Sequence, residues 1–326
     1  MDLLFFFCVA LCWGQAVAAT LERVDDAARI AAPRFAIGDL DGDGDSEVIV
    51  GGRVGAFVAE TEPLAGRTAR IEVRAQGPGT VGLRAWTEEV ELVEDVAVGD
   101  VDGDGKMEIL AVGWHRLWVL EMEREALKIE RVYSFDEGRL WRVDSADIDG
   151  DGQWEVVLVE RRIGQDQEAS PARIGVYRLA ETWQRLSELR LDAHVGDMCL
   201  AAAKDGVQMV LETGGEEVGG LLGVYDFSGW QPLLRYRQQG TSEYVRALSL
   251  AAQPLAGEPL LAVGDVRGQV GLWQLGRSRL NQRLSVEVGR GAVRAVQLLA
   301  GGRDKVQILV GAGMRSRGQL WIVEGF

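Results

Sequence analysis

Three loops constrain this chain more tightly than anything else in it. DLDGDGDSE (39–47), DVDGDGKME (100–108) and DIDGDGQWE (147–155) superpose without a gap, and each runs directly into an apolar stretch. Carboxylates stand at loop positions 1, 3, 5 and 9, with glycine at position 6. A wound loop of that spacing aims alternate side chains at one hard cation. Calcium takes about six to eight oxygens at roughly 2.3–2.6 Å, and the carbonyl of position 7 can supply one of them. Glycine permits the positive φ of a sharp turn. Without a cation the like charges repel one another and raise their own pKa values. A solvated acidic turn is the alternative, and three copies at one spacing argue against it. An EF-hand opens the same way but needs a bidentate glutamate at position 12 and then a helix. Position 12 here is Val50, Ala111 and Leu158, and the residues that follow alternate as a strand does.

The residue that ends each loop also anchors a longer repeat. Glu47 (EVIVGG), Glu108 (EILAVG), Glu155 (EVVLVE), Gln208 (QMVLETGG), Glu258 (EPLLAVG) and Gln307 (QILVGAG) are separated by steps of 61, 47, 53, 50 and 49 residues. An alternating apolar stretch lies upstream of most anchors (RFAIGD, DVAVGD, RVDSAD, RALSLA, RAVQLL). Another lies downstream (RLWVLE, RIGVYRL, LLGVYDF, QVGLWQL, QLWIVE). A looser fourth, such as ARIEVRAQ or LKIERVYSF, follows. Short strands with Gly or Asp turns and no 3.6-residue period indicate an all-β chain. Four strands in about fifty residues make one blade of a β-propeller. The expected fold is a six-bladed β-propeller of four-stranded antiparallel blades, with seven blades as the second reading. A seventh would hide in the 61-residue step, around GPGTVGLRAWTEE (77–89). The sixth unit stops after its third strand, so TLERVDDAAR (20–29) is expected to supply the outer strand of the last blade and close the ring.

The first residues, MDLLFFFCVALCWGQAVAAT, read as a secretory signal over 1–19, leaving the propeller over 20–326. The apolar run Leu3–Trp13 is too short to span a bilayer. Ala16-Val17-Ala18 and Val17-Ala18-Ala19 both suit a signal peptidase, although Asp2 stands where a basic residue is usual. A buried N-terminal strand is the alternative. A lipid anchor at Cys12 is disfavoured because Leu11 fills a position that takes a small residue. The protein is therefore expected outside the cytoplasm, in the periplasm, the medium or at the cell surface, with no membrane span. Of three cysteines only Cys199 would remain, so no intrachain disulfide could form and bound metal would serve as the staple. The net charge of −15 argues against nucleic acid as a partner.

The acidic loops, each set between GD or AD and an EVIVGG-like strand, resemble FG-GAP (VCBS-type) repeats, which build the calcium-binding propeller of integrin α-subunits and of many exported bacterial proteins. The likeness covers about residues 33–326 in strand pattern and only the first three units in ligand motif. It implies calcium between the first and second strands of each of those blades, about three ions in all, with a structural role. The side-chain ligands it carries over are Asp39, Asp41, Asp43 and Glu47; Asp100, Asp102, Asp104 and Glu108; and Asp147, Asp149, Asp151 and Glu155. The carbonyls of Asp45, Lys106 and Gln153 would complete the shells. The name-giving Phe-Gly and Gly-Ala-Pro words are eroded to VGAF and VGAG. Units four to six keep remnants too poor in carboxylate to hold a cation, such as KDGVQ (204–208) and GGRDKVQ (301–307).

Catalytic signals are poor. The two histidines, His115 and His194, belong to no nucleophile elbow, Cys–His pair or HExxH motif, and read as loop residues. Carboxylates that hold a cation are poor acid–base groups. Trp118, Trp273 and Trp321 share the third strand of their blades and read as packing between blades. Trp86, Trp114, Trp141, Trp154, Trp183 and Trp230 fall near loops or strand ends. The turns opposite the acidic loops carry Arg53, His115, Arg116, Arg161, Arg162, Arg173, Arg267, Arg315 and Arg317. Arg34, Arg142, Arg246 and Arg294 fall toward that same face near the centre. Guanidinium clusters suit carboxylate, sulfate or phosphate, so a candidate ligand site comprises Arg53, Trp114, His115, Arg116, Arg161, Arg162, Arg267, Arg315 and Arg317. Its ligand would be a protein segment or an acidic glycan; the alternative is that these arginines bridge neighbouring acidic turns. The expected function is a non-enzymatic binding or scaffold module. A polysaccharide hydrolase or lyase is the competing reading, and a lectin the third.

Overall fold

The computed structural model describes residues 6–12, 15–25, 30–54, 69–77, 80–87, 90–124, 126–136, 138–161, 171–203, 205–213, 220–239, 245–250, 259–288, 292–300, 306–312 and 319–324. They form strands and turns, without a helix among them. The chain opens with β1 (Phe6–Cys12) and β2 (Gln15–Asp25). The first blade holds β3 (Ile30–Gly38), β4 (Glu47–Val54), β5 (Ala69–Gly77) and β6 (Thr80–Thr87). The second holds β7 (Asp95–Gly99), β8 (Glu108–Gly113), β9 (Arg116–Glu123) and β10 (Ala126–Ser134). The third is β11 (Arg139–Ala146), β12 (Glu155–Arg161), β13 (Ala172–Arg178) and β14 (Gln184–Leu191). The fourth is β15 (Val195–Ala203), β16 (Gly206–Thr213), β17 (Leu221–Ser228) and β18 (Gln231–Gln239). The fifth is β19 (Val245–Leu250), β20 (Leu260–Asp265), β21 (Gln269–Leu275) and β22 (Leu280–Glu287). Last come β23 (Val293–Ala300), β24 (Val306–Ala312) and β25 (Gln319–Glu324).

All pairings within these sheets are antiparallel, and the sheets take a propeller arrangement. Five sheets have the four-stranded form of a blade. The blade count therefore departs from six or seven equal blades: the remaining sheet is five-stranded, in the order β1-β2-β25-β24-β23. Within it Thr20 stands opposite Glu324 and Asp25 opposite Leu320, so the segment expected at the outer edge lies inside the sheet and β1 takes the edge. The stretch 77–89 hides no further blade, because β5 and β6 form its hairpin. ARIEVRAQ is consequently a third strand, with TVGLRAWT as the fourth.

Burial follows position in the blade. Second strands lie between two neighbouring sheets, so β8 is buried at every residue and apolar throughout. Outer strands keep one wet face, and β10 alternates accordingly. Six apolar clusters join successive sheets. One packs Ile49, Ile71 and Val73 against Ile109, Trp118 and Leu120, and another packs Phe35, Val48 and Val50 against Ala295, Leu299 and Leu309. Trp118 and Trp273 are buried in such clusters as expected of third-strand tryptophans, whereas Trp86, Trp183 and Trp230 are exposed. The sheets pack so closely that a Cβ on Gly51 would lie 2.4 Å from a Val96 methyl in the next blade. β3 adjoins both β7 and β23, and β7, β11, β15, β19 and β23 follow one another as neighbours at the centre.

Candidate functional site

The three acidic loops join the first and second strands of the first three blades, and their backbones are wound alike. Asp39 accepts hydrogen bonds from the amides of Gly42 (2.8 Å), Asp43 (3.1 Å) and Gly44 (2.9 Å). Asp100 accepts from Gly103 (2.8 Å) and Gly105 (2.9 Å), and Asp147 from Gly150 (2.7 Å) and Gly152 (3.1 Å). The first aspartate thus closes its loop, a role the spacing alone did not reveal. Glycine is required at loop position 4 as well as 6: Gly42 and Gly44 have φ of 72° and 91°, and the other two loops repeat this. The closing glutamates cap the loops from below. Glu47 accepts from Leu40 N (2.9 Å), Glu108 from Val101 N (3.0 Å) and Glu155 from Ile148 N (3.0 Å).

These residues fit a calcium ion. Oxygens of Asp39, Asp41 and Asp43 lie within 4.8 Å of one another, as do those of Asp100, Asp102 and Glu108 and of Asp147, Asp149 and Glu155. Oxygens on opposite sides of one calcium are about 4.6–5.2 Å apart. Burial pushes the Glu108 carboxyl up to about 8, against the amide of Val101 that holds it down. A bound dication would reverse that penalty. Two loops also carry a guanidinium from their own blade. Arg84 donates to Asp41 (2.5 Å) and Glu47 (2.9 Å), and Arg178 contacts Asp149 (3.0 Å), Asp151 (3.1 Å) and Glu155. In the second loop the basic groups stand further out: Arg131 lies 3.7 Å from Asp102, and Lys106 lies 3.7 Å from Asp104 and bonds Glu121 at 3.2 Å. The side chain of Gln153 turns away and donates to Val101 O (2.8 Å) and Leu179 O (3.1 Å), tying the third loop to the second blade.

A second polar cluster fills the centre, where the innermost strands meet. Arg34 of β3 donates to Asp197 of β15 (3.1 Å) and to the carbonyl of Arg294 in β23 (3.1 Å). Asp197 also accepts from Arg142 Nε (2.7 Å), and Asp95 from Val143 N (3.1 Å). Asp144 accepts from Leu200 N (2.6 Å) in the next blade. Burial pushes the Asp144 carboxyl up to about 7, Asp95 to about 6 and Glu212 to about 8. An unfolded Asp or Glu titrates near 4, so the folded protein binds these protons more tightly. Stability then falls as pH rises from about 4 through 8, by up to about 1.4 kcal/mol per pH unit for each group. Melting temperatures in calcium-free buffer should accordingly decline from pH 6 to pH 8. Asp144→Asn should flatten that decline, and an unchanged slope in the variant would remove Asp144 as its source.

The opposite ends of the same strands carry the arginine face. Arg139 and Arg161 stand directly across from each other in β11 and β12, at the far end from loop 147–155. The register of β11 skips between Leu140 and Arg142, leaving Trp141 in a bulge, and β15 skips in the same way at Gly196. Trp141 Nε1 donates to the carbonyl of Gly196 (3.0 Å). Its ring carries the guanidiniums of Arg161 at 3.7 Å, Arg142 at 4.4 Å and Arg139 at 5.3 Å. Trp114 follows β8 with φ of 50° and accepts from Leu140 N through its carbonyl (2.5 Å), which links the second and third blades. Sequence reasoning missed Arg139, which sits before the expected strand start. Several other arginines bridge acidic groups: Arg116 pairs with Glu91 (3.0 Å) and Arg173 with Glu160. His115 Nδ1 lies 2.6 Å from the carbonyl of Gly138, and the backbone amide of Arg267 donates to Asp265 (2.8 Å). Arg162, Arg315 and Arg317, and the side chains of Arg53, Arg246 and Trp321, lie outside the described residues.

Residues 93–158, which include the second and third loops, match the FG-GAP-like repeat family. No curated protein matches the sequence significantly. Among solved structures the chain is similar to Chaetomium thermophilum Sqt1, seen bound to the N-terminus of the ribosomal protein L10. The TM-score is 0.53 at 12% identity, over 94% of this chain and 98% of that one. At that identity the likeness concerns the fold alone. The chain is an all-β protein with a propeller arrangement of antiparallel sheets, and it carries an FG-GAP-like repeat match over residues 93–158.

Proposed function

We propose that this protein is an exported scaffold that binds a protein partner through the face opposite its acidic loops, with calcium in those loops holding the blades. The observation that carries this reading is the division of β11 and β12. One end wraps the acidic loop 147–155, and the other sets Arg139 and Arg161 against the half-buried indoles of Trp114 and Trp141. In this reading the five-stranded sheet holds the first blade to the last strands of the chain. Support comes from the apolar cluster between β3–β4 and β23–β24 and from the pairing of β2 with β25. That pairing begins at Thr20, immediately after the small-residue triplet Val17-Ala18-Ala19. Cleavage there would discard β1, whose partners lie in β2, and spare every residue that meets β25. The Sqt1 likeness adds that a related fold can seat a polypeptide segment.

The test is a C-terminally tagged full chain, expressed in an exporting host and crosslinked in the envelope with calcium or with EDTA. Mass spectrometry should find a mature N-terminus at Thr20 and a protein retained with calcium but lost with EDTA. A chain that keeps Met1 overturns export. Capture no different from an unrelated exported control overturns the scaffold role.

A further inference from the structure

We propose that the notch formed by Trp114, Arg139, Trp141 and Arg161, between the second and third blades, is a carboxylate-binding site that takes a Glu or Asp side chain of a partner polypeptide. The proposal deepens the scaffold reading and rests on it. Three hydrogen-bond donors in this notch are buried and have no acceptor: Trp114 Nε1, Arg139 Nε and Arg161 Nε. Buried donors are nearly always paired, so three in neighbouring residues ask for an acceptor from outside. The remaining groups of the same side chains are held. Arg139 Nη2 donates to Glu94, and Arg161 Nη2 to the carbonyl of Val195.

Backbone features converge on the same place. A tryptophan at φ of 50° is strained, and such strain is kept where surrounding structure imposes it. Trp141 occupies a bulge, a device that re-aims a side chain near a site. Three guanidiniums crowd one indole; Arg139 and Arg142 have carboxylate partners in Glu94 and Asp197, whereas the hydrogen bond of Arg161 goes to a carbonyl, which leaves its charge open to an anion.

The neighbours select the kind of anion. Glu94 and Glu212 both act on Arg161 from close by, so a dianionic phosphate meets more repulsion than a single carboxylate does. A planar carboxylate also matches the donor fork of a guanidinium. A sugar uronate would want an open aromatic face, and the Trp141 face already carries the Arg161 guanidinium at 3.7 Å. The Arg139 side chain is 20% accessible, which gives an incoming carboxylate an edge to approach. Entry must shift the Arg–Trp stack, so tryptophan fluorescence reports it.

The experiment titrates the calcium-loaded full chain with the peptide acetyl-GEGEGEGE-amide, following tryptophan fluorescence and heat. Its glutamine counterpart, pentagalacturonate and inorganic phosphate are run beside it. The glutamate peptide should bind and the glutamine peptide should not. Arg161→Gln and Arg139→Gln should each weaken binding by about 10–100-fold, and Trp114→Phe, which removes the N–H and keeps an aromatic ring, by about 3–10-fold. Lys128→Gln, on the outer strand β10 where Lys128 pairs with Glu123, should leave it unchanged. The proposal is overturned if the glutamate peptide does not bind, or if folded Arg161→Gln and Trp114→Phe bind it as the parent does. It is also overturned if pentagalacturonate or phosphate binds as tightly as the glutamate peptide. Envelope crosslinking separates the two readings. A partner captured equally by parent and Arg161→Gln defeats the notch and leaves the scaffold role standing; a parent that captures nothing defeats the scaffold role.

Discussion

Removing calcium with EDTA from protein held at 10 mM calcium is expected to lower its melting temperature by roughly 6–12 °C. Extracellular calcium modules bind with Kd of about 10⁻⁴–10⁻³ M. Each loop then contributes about 1.4–2.7 kcal/mol at that concentration by mass action. Three loops together contribute on the order of 4–8 kcal/mol, spread over the unfolding entropy of a chain this long. The second loop should respond most, because its basic neighbours stand at 3.7 Å from the loop aspartates and do not bond them. Asp102→Asn is therefore expected to remove a larger share of the calcium-dependent shift than Asp41→Asn, whose loop keeps Arg84 at 2.5 Å. Differential scanning fluorimetry with and without EDTA checks both statements. Superimposable melts would sink the calcium reading, and a larger loss from Asp41→Asn would sink the ranking.

Asp197→Ala is expected to cost about 3–5 kcal/mol, the usual penalty for stranding a buried charge. Asp197 holds Arg142 at 2.7 Å and Arg34 at 3.1 Å, and also accepts from Met198 N (3.0 Å). Arg142 is almost wholly buried, and burial already pulls its guanidinium below the usual arginine range. Without the carboxylate, two cations face each other at the centre with neither held by its Asp197 partner, and Asp95 is left as their nearby counter-charge. Arg34→Met and Arg142→Met combined with Asp197→Leu should recover a large part of the loss, since apolar replacement of a whole buried ion cluster is often neutral. Urea unfolding at pH 7 measures both. A loss below about 1 kcal/mol for Asp197→Ala would mean that the centre is hydrated and the pair is weak.

The acidic loops were legible because their chemistry is local. Winding, glycine conformation and the capping glutamate all lie within nine consecutive residues, and the structure reproduces them three times. The strand repeat was legible wherever apolar alternation is clean. It misled in the first blade, where β5 carries Arg70, Glu72 and Arg74 as a buried ion network. There Arg70 Nε donates to Glu72 (2.6 Å), which also accepts from Arg74 (2.6 Å). Charged residues in a buried strand imitate a wet one, so β5 was taken for an outer strand. The central cluster was harder still. Arg34 and Asp197 are 163 residues apart, and nothing in either neighbourhood announces the other. Arg139 escaped because its significance comes from the strand opposite: its partner is Arg161, and their shared indole belongs to a bulge that periodicity cannot see.

The pairing of Thr20 with Glu324 makes β2 and β25 into a clasp. Its two halves lie far apart along the chain, so the clasp cannot fasten until β25 has been made. Up to that moment β2 lacks this partner. Contacts of such long sequence separation form slowly. A nascent chain is thereby left open at this joint until β25 emerges.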